Sequence, residues 1–198
     1  VVICGNARFT VLTPEMIRIE YSEKGMFEDR PTFTVVNRNL ELVDFKKKED
    51  DRFLYIQTDK VKLKYRKGTN PKTSPASPEN LTITIENHGC ETLWYPGKKD
   101  PLNLKGTCRT LDGSNGDNKR SELENGLISR SGWAVIDDSW EATRADGSHS
   151  FALEPNPEVG YDWWAYRNDP QAIDLYFMGY GNEYKKAIGD FTKIAGKI

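Results

Sequence analysis

The chain has 198 residues, with 28 Lys and Arg against 30 Asp and Glu, a formal net charge of −2 and 37% hydrophobic residues. That length accommodates one large domain with a sizeable core. The near-neutral balance lacks the basic excess of a nucleic-acid binder, and no apolar run approaches the ~20 residues of a membrane span, so neither is expected as a partner.

From the start of the chain, strand signals recur at short intervals. "ARFTVLT" (7–13) and "MIRIEYS" (16–22) flank Pro14-Glu15 and predict a hairpin. Residues 17–21 alternate apolar and polar, which predicts one buried and one wet face. "TFTVVN" (32–37) reads as a further strand. The run Lys46-Lys47-Lys48, answered by Glu49-Asp50-Asp51, reads as a solvated hairpin tip. "FLYIQT" (53–58) and "VKLKYRK" (61–67) follow, with Val61, Leu63 and Tyr65 alternating against Lys62, Lys64 and Arg66. Residues 68–79 hold three prolines and small polar residues and read as a loop. "NLTITIEN" (80–87) resumes the alternation.

Residues 96–125 carry little periodicity and much Gly, Asn and Asp. A long irregular stretch inside a strand-rich domain points to function or to disorder. Strands return at 126–131, 133–139, 161–166 and 173–180. The sum is a mainly β chain, a large antiparallel β-sandwich. It closes on one helix, in which Tyr184, Ala187, Ile188, Phe191, Ile194 and Ala195 form an apolar stripe and Lys185, Lys186 and Asp190 lie off it. Asn182 is placed to cap its start and Gly196 to end it. A helix this short needs packing to persist.

Residues with chemistry are few. Cys4, Cys90 and Cys108 lack a C-x-x-C spacing, so no zinc site is indicated, and pairing of Cys90 with Cys108 stays open. Asp137 and Asp138 are neighbours on a strand and point to opposite faces, which argues against a cooperating acid and base. His88 and His149 sit in turn-like contexts. Trp94, Trp133, Trp140, Trp163 and Trp164 suit either a core or a sugar platform, and a core is the simpler reading. No phosphate loop, metal-ligand spacing or serine-nucleophile motif occurs, so no cofactor is expected. The densest chemistry is "GTCRTLDGSNGDNK" (106–119), whose Asp-Gly and Asn-Gly pairs present Asp112 and Asp117 on a loop.

Three stretches taken together resemble a known family: "RFTVLTPEMIRIEYSEKGMFEDRPTFTVVNRNL" (8–40), "YPGKKDPLNLKGTCRTLDGSNGD" (95–117) and "LENGLISRSGWAVIDDS" (123–139). They are similar to the amino-terminal domain of glycoside hydrolase family 31, which contains α-glucosidases and α-xylosidases. "DLYFMGYGNEYKKAIGDFTKIAGK" (174–197) is similar to the segment that leads from that domain into the catalytic barrel.

The resemblance implies a galactose mutarotase-like sandwich over residues 1–180 and a connector helix over 181–198. It implies a parent that is a retaining α-glycosidase acting on α-linked oligosaccharides, with the sandwich packed on a (β/α)₈ barrel. Both catalytic aspartates of the family lie on that barrel, so this domain is expected to be non-catalytic; a retaining pair would stand about 5–5.5 Å apart. It further implies a loop aspartate lining the sugar site, which matches Asp112 in "RTLDG", with Arg109 and Asp117 as neighbours in the same loop. Cys108 departs from the pattern, since an aromatic residue is common there. The alternatives are a stand-alone carbohydrate-binding module and a mutarotase-like epimerase using His88 or His149. The chain begins at Val1 rather than Met, which fits a processed, exported parent.

Overall fold

The computed structural model of the chain describes residues 1–32, 34–72, 77–87, 90–106, 123–139, 152–156, 161–165, 169 and 171–196, with backbone only for 87, 90, 152–156 and 161–165. In chain order the strands are β1 (Val2–Cys4), β2 (Ala7–Thr13), β3 (Met16–Tyr21), β4 (Lys46–Glu49), β5 (Phe53–Gln57) and β6 (Val61–Arg66). They continue with β7 (Leu81–Asn87), β8 (Cys90–Trp94), β9 (Ala134–Asp137), β10 (Ala152–Asn156), β11 (Tyr161–Ala165) and β12 (Ile173–Met178), and one helix, α1 (Tyr184–Ala195), closes the chain. Two five-stranded antiparallel sheets form a β-sandwich, in the orders β1-β2-β3-β12-β9 and β4-β5-β6-β7-β8, with β10-β11 as a separate hairpin. Among the described residues no helix is long and apolar enough to cross a membrane.

The main core lies between the sheets. The first sheet contributes Phe9, Ile17, Ile19, Leu175 and Phe177, and the second contributes Leu54, Ile56, Leu63, Tyr65 and Ile83. Burying a side chain of this kind stabilises by about 1.5–3 kcal/mol. β6 alternates as its sequence predicts, with Val61, Leu63 and Tyr65 inward and Lys62, Lys64 and Arg66 in solvent. Trp94 and Trp133 are also core residues, tilted against each other with ring centroids 6.4 Å apart.

The sheets approach closely at Gly179, just past β12. A Cβ there would sit 2.5 Å from Ile85 Cγ2, 2.9 Å from Phe177 Cε1 and 3.0 Å from Val61 Cγ1. Gly179→Ala is therefore expected to cost about 1–3 kcal/mol through overpacking. A urea midpoint unchanged from the wild-type value would refute that reading of the contact.

The centre of the first sheet is buried on both faces, unlike the sequence expectation for β3. All six residues of β3 and all six of β12 are buried. A second cluster covers the far face, built from Leu12, Met16, Ala134, Tyr176 and Met178 beneath Val35, Ala187 and Ile194. Segment 23–40 and helix α1 form that cover. The described residues of "TFTVVN" past Phe33, residues 34–37, accordingly form no strand. The Thr32 hydroxyl accepts from the Val35 N–H, and the N–H groups of Val36 and Asn37 both donate to Ile194 C=O at the end of α1. Residues 126–131 pair only through an isolated bridge, Asn103 to Ser129. The lysine run is β4 itself, an exposed edge strand, and the turn falls at 50–52. Charged side chains are a common protection for such an edge.

Helix α1 also departs from its predicted stripe. Asp190 is buried with Ala187 and Ile194, while Ile188 is 45% exposed. Asp190 is held because it accepts from the Tyr180 hydroxyl (2.9 Å) and from Lys193 (2.7 Å). Burial and the hydrogen bond to Asp190 push the Tyr180 phenol well above its usual range, although its bond with Thr13 acts the other way. Asn182 does not cap the helix; Glu183 occupies that position without a side-chain cap bond, and Gly196 ends the helix with φ 85°.

Candidate functional site

The loop that carries Arg109, Asp112 and Asp117 lies outside the described residues, as do His88, His149, Cys108 and Trp140. What is described is its root. Segments 102–106 and 124–130 run side by side, tied by Gly106 N–H to Glu124 C=O (2.7 Å), Leu104 N–H to Ile128 C=O (3.1 Å) and Arg130 N–H to Leu102 C=O (3.1 Å). The two ends of segment 107–122 are thus brought together.

Asn103 is the clamp of this stem. Its amide donates to Asp100 Oδ2 (3.0 Å) and Gly126 C=O (3.2 Å), and its Oδ1 accepts from Lys105 N–H and Gly126 N–H, both at 2.8 Å. Beneath it, Asp100 Oδ1 accepts from Ser129 (2.9 Å) and Ser131 (2.7 Å). Both oxygens of the buried Asp100 are therefore committed to holding the stem. The crossing is tight: a Cβ on Gly126 would fall 2.5 Å from Lys105 C=O, and Lys105 is the one described non-glycine residue in the left-handed region, at φ 69°. Such conformations persist only where surrounding bonds enforce them.

Beside the stem opens a cleft of about 270 Å³, lined by Trp94 and Trp133 at its floor and by Lys72, Asp100, Asn103 and Asp137 among its polar groups. Lys72 pairs with Asp137 at 2.7 Å, and Asp137 also accepts from Ser139. Asp138 points the other way, buried, where it accepts from Thr32 (2.7 Å). The split of the two aspartates follows the strand geometry expected of them. Trp94 and Trp133 are 2% and 6% exposed, so neither offers a sugar platform. The side chains of Trp163 and Trp164, on β11, lie outside the described residues. No group of three or more His, Cys, Asp or Glu among the described residues could hold a metal ion.

The far face of the first sheet holds a second polar constellation that strand periodicity does not reveal. Arg18, 2% exposed, grips Asp174 of β12 in a two-pronged bond at 2.8 and 2.7 Å, approaches Glu20 at 3.0 Å and donates to Glu28 C=O at 2.6 Å. Arg8 takes Glu20 with two bonds (2.6 and 2.8 Å) and reaches Asp29 at 2.6 Å. Arg38 adds a bond to the Tyr176 hydroxyl at 2.7 Å. Burial alone would lower the Arg18 pKa, but the hydrogen bonds and charge of Asp174 raise it above the ordinary value, so Arg18 stays charged. Register explains the grouping: Arg8 faces Glu20, and Glu20 faces Asp174, across adjacent strands. The network fixes segment 23–40 to the sheet. Its signal in the sequence is charge inside otherwise apolar strands, Arg18 and Glu20 in β3 and Asp174 in β12.

Compared with known proteins, the chain matches no family model and no curated protein.

Proposed function

We propose that this chain is the non-catalytic amino-terminal domain of a retaining α-glycosidase of the α-glucosidase type, packing on a (β/α)₈ catalytic barrel and lending a loop to its sugar site. Asp112 is the loop residue assigned to the sugar, with Arg109 and Asp117 beside it. A carboxylate accepts short, strong hydrogen bonds from sugar hydroxyls, and a barrel wall would exclude the competing water. The observation that carries the reading is the ordered set of sequence stretches that resemble the family, from residue 8 to residue 197. Support comes from the β-sandwich with one closing helix among the described residues, and from the stem in which segments 102–106 and 124–130 are bonded to each other.

Calorimetry of residues 1–198 against maltose, isomaltose and xylosyl oligosaccharides separates this reading from a stand-alone binding module. The expected result is no binding tighter than millimolar, because most of the sugar site belongs to the barrel. Micromolar affinity for any of these sugars would favour the binding module instead.

A further inference from the structure

Segment 35–45 carries no regular secondary structure, and its second half faces a groove of about 610 Å³ against helix α1. Three features of this groove point to a polypeptide partner. The first is unpaired backbone. Among the described residues, the N–H and C=O groups of Leu40, Glu41, Leu42, Val43 and Asp44 make no hydrogen bond. A run of free main-chain groups is the template on which an added strand pairs.

The second feature is apolar. Leu42 is 103% exposed, as open as a side chain in an extended peptide, and Leu12, Leu40 and Val43 line the groove beside it. Isolated exposed leucines are common, but one at the lip of an apolar groove offers an anchor.

The third feature is charge. Glu41, Asp44 and Asp59 line the same groove and make no direct ion pair among the described residues, although the Glu41 charge is felt by Lys193. The two lysines of the groove are already occupied, Lys186 by the buried Glu15 and Lys193 by Asp190 at 2.7 Å. The groove therefore presents a net negative rim over an apolar floor.

We infer that segment 39–44 and helix α1 form a docking groove for an extended segment of a separate partner protein, in which apolar residues alternate with lysine or arginine. The partner's main chain pairs with residues 40–44, its apolar side chains meet Leu42 and Val43, and its cations meet Glu41, Asp44 and Asp59. Opposite charges across such a surface set the choice of partner and the salt dependence. The inference goes beyond the glycosidase reading: it uses no residue of segment 107–122, and it shares with that reading only helix α1, through Lys186, Asp190 and Lys193.

Fluorescence anisotropy with two labelled heptapeptides tests it, one alternating leucine with lysine and one alternating leucine with glutamate. The lysine peptide is expected to bind the intact chain at least tenfold more tightly than the glutamate peptide, and to weaken as salt rises. Leu42→Asp is expected to abolish binding, and the double variant Glu41→Lys/Asp44→Lys to reverse the preference. These positions are exposed, so circular dichroism should show both variants folded. Equal binding of the two peptides, no binding of either, or variants that bind as the wild type does would each overturn the inference. So would a dimer in sedimentation velocity that Leu42→Asp dissolves, because the occupant would then be a second copy of this chain.

Discussion

Replacing Arg18 by Met is expected to lower the stability of the domain by about 3–5 kcal/mol, the usual effect of deleting one partner of a buried ion pair. For a domain of this size that corresponds to a fall in melting temperature of roughly 6–20 °C. Arg18 is 2% exposed and serves three acceptors at once: Asp174, Glu20 and the Glu28 carbonyl. Its loss leaves the buried Asp174 and Glu20 carboxylates facing each other without the cation they share, although Arg8 still binds Glu20. It also removes one of the donors that tie segment 23–40 to the sheet, the bond to the Glu28 carbonyl, so amide exchange in the described residues of 26–40 should accelerate along with the global change. Arg18→Met/Asp174→Leu removes both charges and should recover most of the loss, since an apolar pair of similar volume avoids the desolvation penalty. A control on the open face of the second sheet, Lys62→Met, should change stability by no more than about 0.5 kcal/mol. If Arg18→Met unfolds at the wild-type temperature, the buried network does not hold the cover in place.

The second large effect is expected in the α-glycosidase that we propose as the parent of this chain. Asp112→Ala should lower kcat/KM for α-glucosides by roughly 10–150-fold, the equivalent of losing one charge-assisted hydrogen bond worth about 1.5–3 kcal/mol. The melting temperature should stay unchanged, because a loop residue that meets substrate contributes little to the fold. Asp112→Asn keeps an acceptor without the charge and should fall between the two. Arg109→Ala and Asp117→Ala flank the assigned residue and should have smaller effects. A kcat/KM left untouched by Asp112→Ala for several α-glycosides would remove the loop from the sugar site.

Strand alternation made the inner core legible. Val61, Leu63 and Tyr65 of β6 face inward as the sequence predicts, and the hairpin around Pro14-Glu15 forms where its turn residues stand. The outer face of the first sheet was not legible, for a definite physical reason. Period-two patterning distinguishes polar from apolar positions, but it cannot distinguish water from a buried ion network. Arg18 and Glu20 read as a wet face and are instead 2% exposed, because Asp174 and Arg8 neutralise them and segment 23–40 seals them off. The same limit applies to Asp190, which the helical stripe excludes and which Tyr180 and Lys193 make acceptable in a buried position. "TFTVVN" misleads in the opposite sense: its β-rich composition serves packing against the sheet and α1, and its backbone bonds go to a turn and to the end of the helix. The stem beneath the loop depends on long-range bonds such as Asn103 to Gly126, which no local pattern announces.

The most direct measurement is hydrolysis of p-nitrophenyl α-glucoside by the longer, barrel-containing protein that we propose, beside residues 1–198 alone. The expected result is hydrolysis with retention of anomeric configuration by the longer protein and none by the isolated domain. Hydrolysis by residues 1–198, or a longer protein that cleaves no α-glycoside, would contradict the assignment.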